Sequence, residues 1–187
     1  MEKTNTRDAL IEAGIQEIHT NGMQNFSIRR IAASCGVSCA TPYKHFKNRD
    51  GFILAMFRYV NEQWSAAHKK IVDAPLSAKE RIIETCIAYI HFLVDNSSYH
   101  TFILTKNENL TESQIKERSE ISKASRDLID TYCDEVNMSE EDRARKIFLV
   151  RSLLYGAVIM IDNGQLDNSP ATYDMIRTTI AREFDLP

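Results

Sequence analysis

Apolar residues recur at three- and four-residue spacing along nearly the whole chain, and the period-2 alternation of a half-buried strand is almost absent. Leu10, Ile11, Ile15 and Ile18 make one such stripe, and Phe52, Ala55, Met56, Tyr59 and Val60 another. Only six glycines and four prolines interrupt 187 residues. The interruptions fall where helices should end: Asn21-Gly22, Cys35-Gly36-Val37, Asp73-Ala74-Pro75, Asn96-Ser97-Ser98 and Asn163-Gly164. Start signals follow them. Ser77 with Glu80 and Ser139 with Asp142 have capping-box spacing, Thr111 heads a polar helix, and Ser169-Pro170 opens the last one. The expectation is an all-α chain of about nine helices, with one long helix over 48–72 and one continuous polar helix from Thr111 through Tyr132.

Composition narrows the class. Charged residues at 26% and hydrophobic ones at 43% exclude disordered, collagen-like and disulfide-scaffold chains. The first twenty residues carry Glu2, Asp8, Glu12 and Glu17, so no signal-peptide core is present. No apolar run approaches the roughly 20 residues that cross a bilayer. A reducing cytoplasm, with Cys35, Cys39, Cys86 and Cys133 as free thiols, is expected. For Cys39 a small-residue role is favoured over redox sensing.

The net charge of −3 hides an asymmetry. Residues 27–49 hold Arg29, Arg30, Lys44, Lys47 and Arg49 and no acid, whereas residues 51–187 hold 16 basic and 21 acidic residues, a net of −5. A basic patch on an acidic body points to a polyanion-binding end. In that patch two short helices are expected, one from Ser27 and one from about Ser38 to Phe46, joined through Gly36, which can take a positive φ. Helices of about eight residues are not stable alone and must pack on a third. A short turn between two such helices is the helix-turn-helix arrangement, whose second helix enters the major groove. Ser38, Cys39, Ala40 and Thr41 are small enough to bring that backbone close to base edges. Arg29, Arg30, Lys44, Lys47 and Arg49 stand around them to neutralise phosphates.

Ser27, Ile31, Ala32, Gly36, Val37, Ser38, Thr41, Tyr43 and Phe46 stand in the register of the TetR/AcrR family of bacterial transcription regulators, which this segment resembles. The departures are Cys35 for Ala, Ala40 for Gly, Pro42 for Leu and His45 for an aromatic residue. The resemblance implies a three-helix DNA-binding domain over 1–50 and a helical ligand-binding and dimerisation bundle over 51–187. It also implies a duplex surface that includes Ser27, a phosphate contact from Tyr43 and base-edge contacts near Cys39, Ala40 and Thr41. His45 either touches phosphate or closes a packed edge.

The helix over about 140–162 carries two apolar stripes: Ile147, Val150, Leu154, Val158 and Ile161, and, on its other side, Leu149, Leu153, Gly156 and Met160. A helix apolar on two sides is buried on two sides. Ile147, Val150, Leu154, Val158 and Ile161, with Tyr173, Ile176 and Ile180 of the last helix, are the expected dimer interface. Trp64, His68, Tyr89, Phe92, Tyr99 and Phe102, with Arg151 and Tyr155, are the candidate ligand residues, since pockets join apolar bulk to a few polar tips. Ordinary core is the competing reading for each of the aromatics. Arg151 either pairs with an acid at the interface or clamps an anionic ligand.

No nucleotide-binding, nucleophile-elbow or zinc-protease motif is present, and His91 with Asp95 makes only two metal ligands. No enzyme activity, cofactor or metal is therefore expected. The expected function is a homodimeric repressor that holds a near-palindromic duplex and leaves it when a small molecule binds. The rival is a DNA-binding regulator without such an effector. An enclosed pocket among Trp64, Tyr89, Tyr99 and Phe102 favours the first, and a solid core there favours the second.

Overall fold

The computed structural model describes residues 5–104 and 109–185. It holds ten α-helices and one single-turn 3-10 helix, Met23–Asn25, with no strand among the described residues. The helices are α1 (Thr6–Asn21), α2 (Ile28–Ser34), α3 (Thr41–Phe46), α4 (Arg49–Val72), α5 (Ala78–Asp95), α6 (Ser97–Leu104), α7 (Glu112–Glu120), α8 (Lys123–Glu135), α9 (Glu140–Asp162) and α10 (Pro170–Glu183). They form two compact units: Met1–Gln63 with Asn96–Ile121, and Trp64–Asp95 with Ser122–Pro187. Neither unit ends at residue 50.

The caps read from the sequence are present. The Ser27, Ser139 and Ser169 side chains accept from the backbone N–H of Arg30, Asp142 and Thr172. Thr111 and Gln114 form a reciprocal capping box. Two expectations change. The segment from Thr111 to Tyr132 is two helices, because the backbone at Ser122 leaves helical geometry (φ −95°, ψ 1°) between α7 and α8. The break falls where one unit gives way to the other, and both Ile121 and Ser122 are buried there. The helix expected from Ser38 starts at Thr41 instead. Ser38–Thr41 is a turn, closed by Thr41 N–H donating to Ser38 O at 2.9 Å, and Pro42 then occupies the first helical turn.

In the first unit, Leu10, Ile11, Ile15 and Ile18 of α1 pack with Phe26, Ile31, Phe46, Phe52 and Met56. Phe52 stacks on Phe46 at 4.0 Å and meets Phe26 edge-on at 5.5 Å. Gly14 lets α1 approach α4 closely: a Cβ there would stand 2.7 Å from Met56 Sδ. α6 lies along α1, with a 2.8 Å hydrogen bond between His19 Nδ1 and Thr101 Oγ1, and its Phe102 stacks on Phe57 at 4.3 Å. Tyr59 of α4 donates to Glu12 of α1 at 2.6 Å.

In the second unit α5 is central and packs against α8, α9 and α10. Ile82, Cys86, Ile90 and Leu93 meet Ile129, Cys133, Val150, Leu154, Val158, Ile176 and Ile180 in its core. Burial pushes the Cys86 thiol up to about 12, which leaves it unreactive at neutral pH. Lys146 is fully buried, an unusual place for a cation. Its Nζ donates to the Glu183 carbonyl at 2.6 Å, at the carbonyl end of α10, where positive charge is favoured.

Candidate nucleic-acid interface and ligand cavity

The helix-turn-helix is built by three local devices. Ser27 caps α2, and Gly36 makes the turn with φ 65°. The third sits after α3. Lys47 takes φ 68°, and Asn48 Oδ1 then accepts from Gly51 N–H at 2.8 Å to start α4. A Cβ at Gly51 would stand 2.2 Å from the Phe46 carbonyl oxygen, so only glycine fits that corner. The sequence pattern left Gly51 unremarked, although a glycine just inside a helix N-terminus is itself a signal of close backbone approach.

These devices present one exposed edge. Ser38, Cys39 and Ala40 are exposed, but they stand in the turn before α3 rather than on a helix. Thr41 is the first helical residue, and its hydroxyl pairs with Ser38 Oγ at 3.0 Å. Tyr43 is 52% exposed, too open to be a core residue. Lys44, His45 and Lys47 are exposed beside it. Pro42 and Phe46 face inward and are buried, so the proline fills core space at the position of the family's leucine.

The expected phosphate contacts divide into two groups. Arg29, Lys44 and Lys47 are exposed and held by no ion pair among the described residues. Arg30 is committed: its Nε donates to Glu17 at 2.8 Å, and its NH2 reaches both that carboxylate and the Asn25 carbonyl. Arg49 donates to the Met23 carbonyl at 2.9 Å and lies over the Phe26 ring. Ser27 is engaged as a cap. Both arginines thus brace the loop between α1 and α2, which the charge count alone did not show.

The candidate ligand residues also separate. Trp64 stacks on His68 and meets Tyr89 and Phe92, with ring centroids 5.2–5.5 Å away, all inside the second unit. His68 shares a 2.8 Å hydrogen bond with Thr85, and burial, with Arg81 nearby, holds its imidazole below the usual range. Tyr99 and Phe102 fall in the first unit instead. Tyr89, Arg151 and Tyr155 line one enclosed cavity with Ile129, Val150 and Leu154. Its volume is about 10 Å³, room for about one water molecule. Arg151 is exposed and lies over the Tyr155 ring at 5.8 Å, with no acid paired to it among the described residues.

The expected interface residues belong elsewhere. Val150, Leu154, Val158, Ile161, Tyr173, Ile176 and Ile180 are buried in their own unit, and Ile147 is half-buried. Side chains already consumed by the chain's own core have no surface left for a partner. What remains open is the other stripe of α9. Leu149, Ile159 and Met160 are exposed, as are Phe148 and, on α10, Met175. Leu149, Ser152 and Leu153 face Thr179, Ile180 and Glu183 across a groove of about 330 Å³. A Cβ at Gly156 would meet nothing within 4 Å.

No group of three or more metal-ligating side chains occurs among the described residues. His91 stacks on Tyr173 at 3.8 Å. No helix among the described residues is long and apolar enough to cross a membrane.

The short exposed edge of α3 on a three-helix support defines a helix-turn-helix DNA-binding protein. Residues 10–56 match the sequence model of the bacterial regulatory proteins of the tetR family. A fatty acid metabolism regulator protein of Bacillus subtilis (strain 168) is 24% identical over 153 residues, 80% of this chain and 77% of that protein. A TetR family transcription regulator from Marinobacter aquaeolei VT8 has the same fold, with a TM-score of 0.79 at 15% identity over 95% of this chain and 94% of that one. The fatty acid degradation regulator FadR from Bacillus halodurans superposes with a TM-score of 0.71 at 16% identity over 97% of each chain. Residues 10–56 thus carry the DNA-binding module of the tetR-family regulators, which makes the chain a DNA-binding transcription regulator.

Proposed function

We propose that this regulator is a homodimeric repressor, acting in a bacterial cytoplasm, that leaves its DNA when a small molecule binds the second unit. Residues 1–50 read DNA, and residues 51–187 dimerise and sense. The observation that carries the DNA reading is the exposed edge from Ser38 to Thr41, flanked by the unpaired cations Arg29, Lys44 and Lys47. Small side chains let backbone approach base edges while the cations hold phosphate. Tyr43 and His45 lie on the same short helix and add polar tips to that surface.

The second apolar stripe of α9 supports the dimer. The row of exposed Leu149 and Met160 with half-buried Leu153, beside Gly156, suits close helix packing against an identical chain. A twofold dimer puts two reading helices about 34–36 Å apart on a near-palindrome. The names of the Bacillus subtilis and Bacillus halodurans relatives support fatty-acid metabolism as the regulated process.

A second reading, a regulator without a small-molecule effector, is favoured by one observation. The cavity that Tyr89 lines has a volume of about 10 Å³, room for about one water molecule. Selection of bound duplexes from random DNA tests the shared part. The expected product is a near-palindrome whose affinity falls steeply with salt. Recovery of no sequence preference at low salt contradicts it. Screening the selected duplex for release by small molecules then separates the two readings.

A further inference from the structure

The helix α7 has nine residues, too few to hold itself without contacts to the rest of its unit. The side chain it buries is polar. Gln114 is 1% exposed, while its neighbour Ile115 is 50% exposed. Burying a primary amide is costly unless both its oxygen and its nitrogen are hydrogen-bonded, and here they are. Gln114 Oε1 accepts from Thr111 N–H at 2.9 Å and closes the capping box. Gln114 Nε2 donates to the Asp50 carbonyl at 3.0 Å, which lies 64 residues back in the chain and in the first turn of α4. A second tie lies further along α4: Asn61 Nδ2 donates to the Glu117 carbonyl at 2.8 Å, and Arg58 Nε to the Glu117 carboxylate at 3.2 Å. All of these residues belong to the first unit. A glutamate at position 114 would close the capping box equally well. The amide N–H is what glutamine adds, and it is spent on Asp50.

Asp50 directly precedes Gly51, where a Cβ would strike the Phe46 carbonyl. Phe46 is the last residue of α3. A shift of the backbone at Asp50 therefore passes to α3 through backbone contact, with no flexible side chain between them to absorb it. We propose that Gln114 is a positioning residue for DNA reading: by holding the first turn of α4 it fixes α3 in the pose that meets the duplex, without touching DNA itself. When the head samples other poses, the apparent affinity falls with the fraction left in the competent one. The proposal rests on the reading edge described above and adds to it a residue from outside residues 1–50.

Three full-length variants are compared with the wild type on the duplex selected from random DNA. Gln114→Met keeps the length of the side chain and removes both hydrogen bonds. Its affinity should fall about tenfold. Its salt slope should stay unchanged, because the same cations meet phosphate in the bound pose. Gln114→Glu keeps the capping acceptor and lacks the donor. Relative to the wild type at the same pH, it should bind about tenfold more weakly at about pH 8.5. It should approach the wild type at about pH 5.5, where a buried carboxyl is protonated and its O–H donates to Asp50. That comparison at each pH cancels the titration of Asp50, Glu117 and the histidines, which both chains share. Ile103→Val trims the core of the same unit on α6. It should lower the melting temperature by about 2–4 °C and leave affinity within about twofold. Gln114→Met within about twofold of the wild type, an equal loss in Ile103→Val, a reduced salt slope, or a Gln114→Glu deficit indifferent to pH overturns the proposal. Amide exchange in the free chain gives a reading without DNA. The amides of residues 51–54 should exchange faster in Gln114→Met than in Ile103→Val, and equal rates overturn the proposal. A wild type that selects no duplex defeats the reading edge, and the exchange rates still decide whether Gln114 holds α4.

Discussion

The DNA-reading end and the C-terminal bundle are opposites in what they leave exposed. In the first, the apolar residues of α1 to α3 are mostly consumed by the core, and what faces outward is small, polar or cationic. In the second, an apolar stripe on α9 lies open, while polar groups such as Lys146, His68 and the Tyr89 hydroxyl are buried. A surface complete in itself suits a partner met through water and counterions. Open apolar area on α9 suits a partner met by direct packing, which is what the proposed dimer requires. The comparison teaches that the two functions place opposite demands on burial.

The largest test of this contrast is at the open stripe. Leu149→Glu combined with Met160→Glu should convert a dimer to a monomer in sedimentation equilibrium and leave helical content unchanged, because both residues are exposed in the single chain. A dimer that survives both charges removes the reason given for that stripe. Next come two glycines of opposite setting. Gly51→Ala forces a Cβ against the Phe46 carbonyl and should cost about 3 kcal/mol in thermal unfolding. Gly156→Ala meets open space and should raise the monomer's stability by about 0.5–1 kcal/mol, while loosening the dimer. Equal effects of the two substitutions would erase the distinction.

A smaller difference separates the cations of the reading end. Lys44→Ala should lower duplex affinity and reduce the salt slope by about one counterion. Arg30→Ala should leave that slope unchanged and lower the melting temperature, since it removes the partner of the Glu17 carboxylate, whose side chain is only 9% exposed. The smallest expected effect is that of pH on the bundle. His68 is held below its ordinary value of about 6.5, so the folded state binds fewer protons than the unfolded one. Its contribution is therefore complete above about pH 6.5 and is lost as pH falls through the depressed folded value. His68→Gln should flatten this part of the stability profile in chemical denaturation; an unaltered profile would assign the acid loss to other groups.

The helix boundaries were largely legible because caps and stops are local: Ser27, Thr111, Ser139, Ser169 and Gly164 each act on backbone within a few residues. The split at Ile121–Ser122 was not, since it marks where the chain passes between two compact units, and residues 111–132 look helical throughout. The reading edge was legible as a register of small and basic residues. The diversion of Arg30 to Glu17 and of Arg49 to Met23 was hidden, because those partners lie 13 and 26 residues away. The two stripes of α9 were legible as a pair. Which one faces the chain's own core depends on α5 and α10, and no spacing within α9 records that.

The most direct test of the central claim is a footprint of the selected duplex combined with the mass of the complex in solution. Two chains on one site are expected, protecting two half-sites about one helical turn apart, with protection lost together when Lys44 and Lys47 are replaced by alanine. A single chain protecting one unrepeated half-site, or protection indifferent to both lysines, would contradict the account.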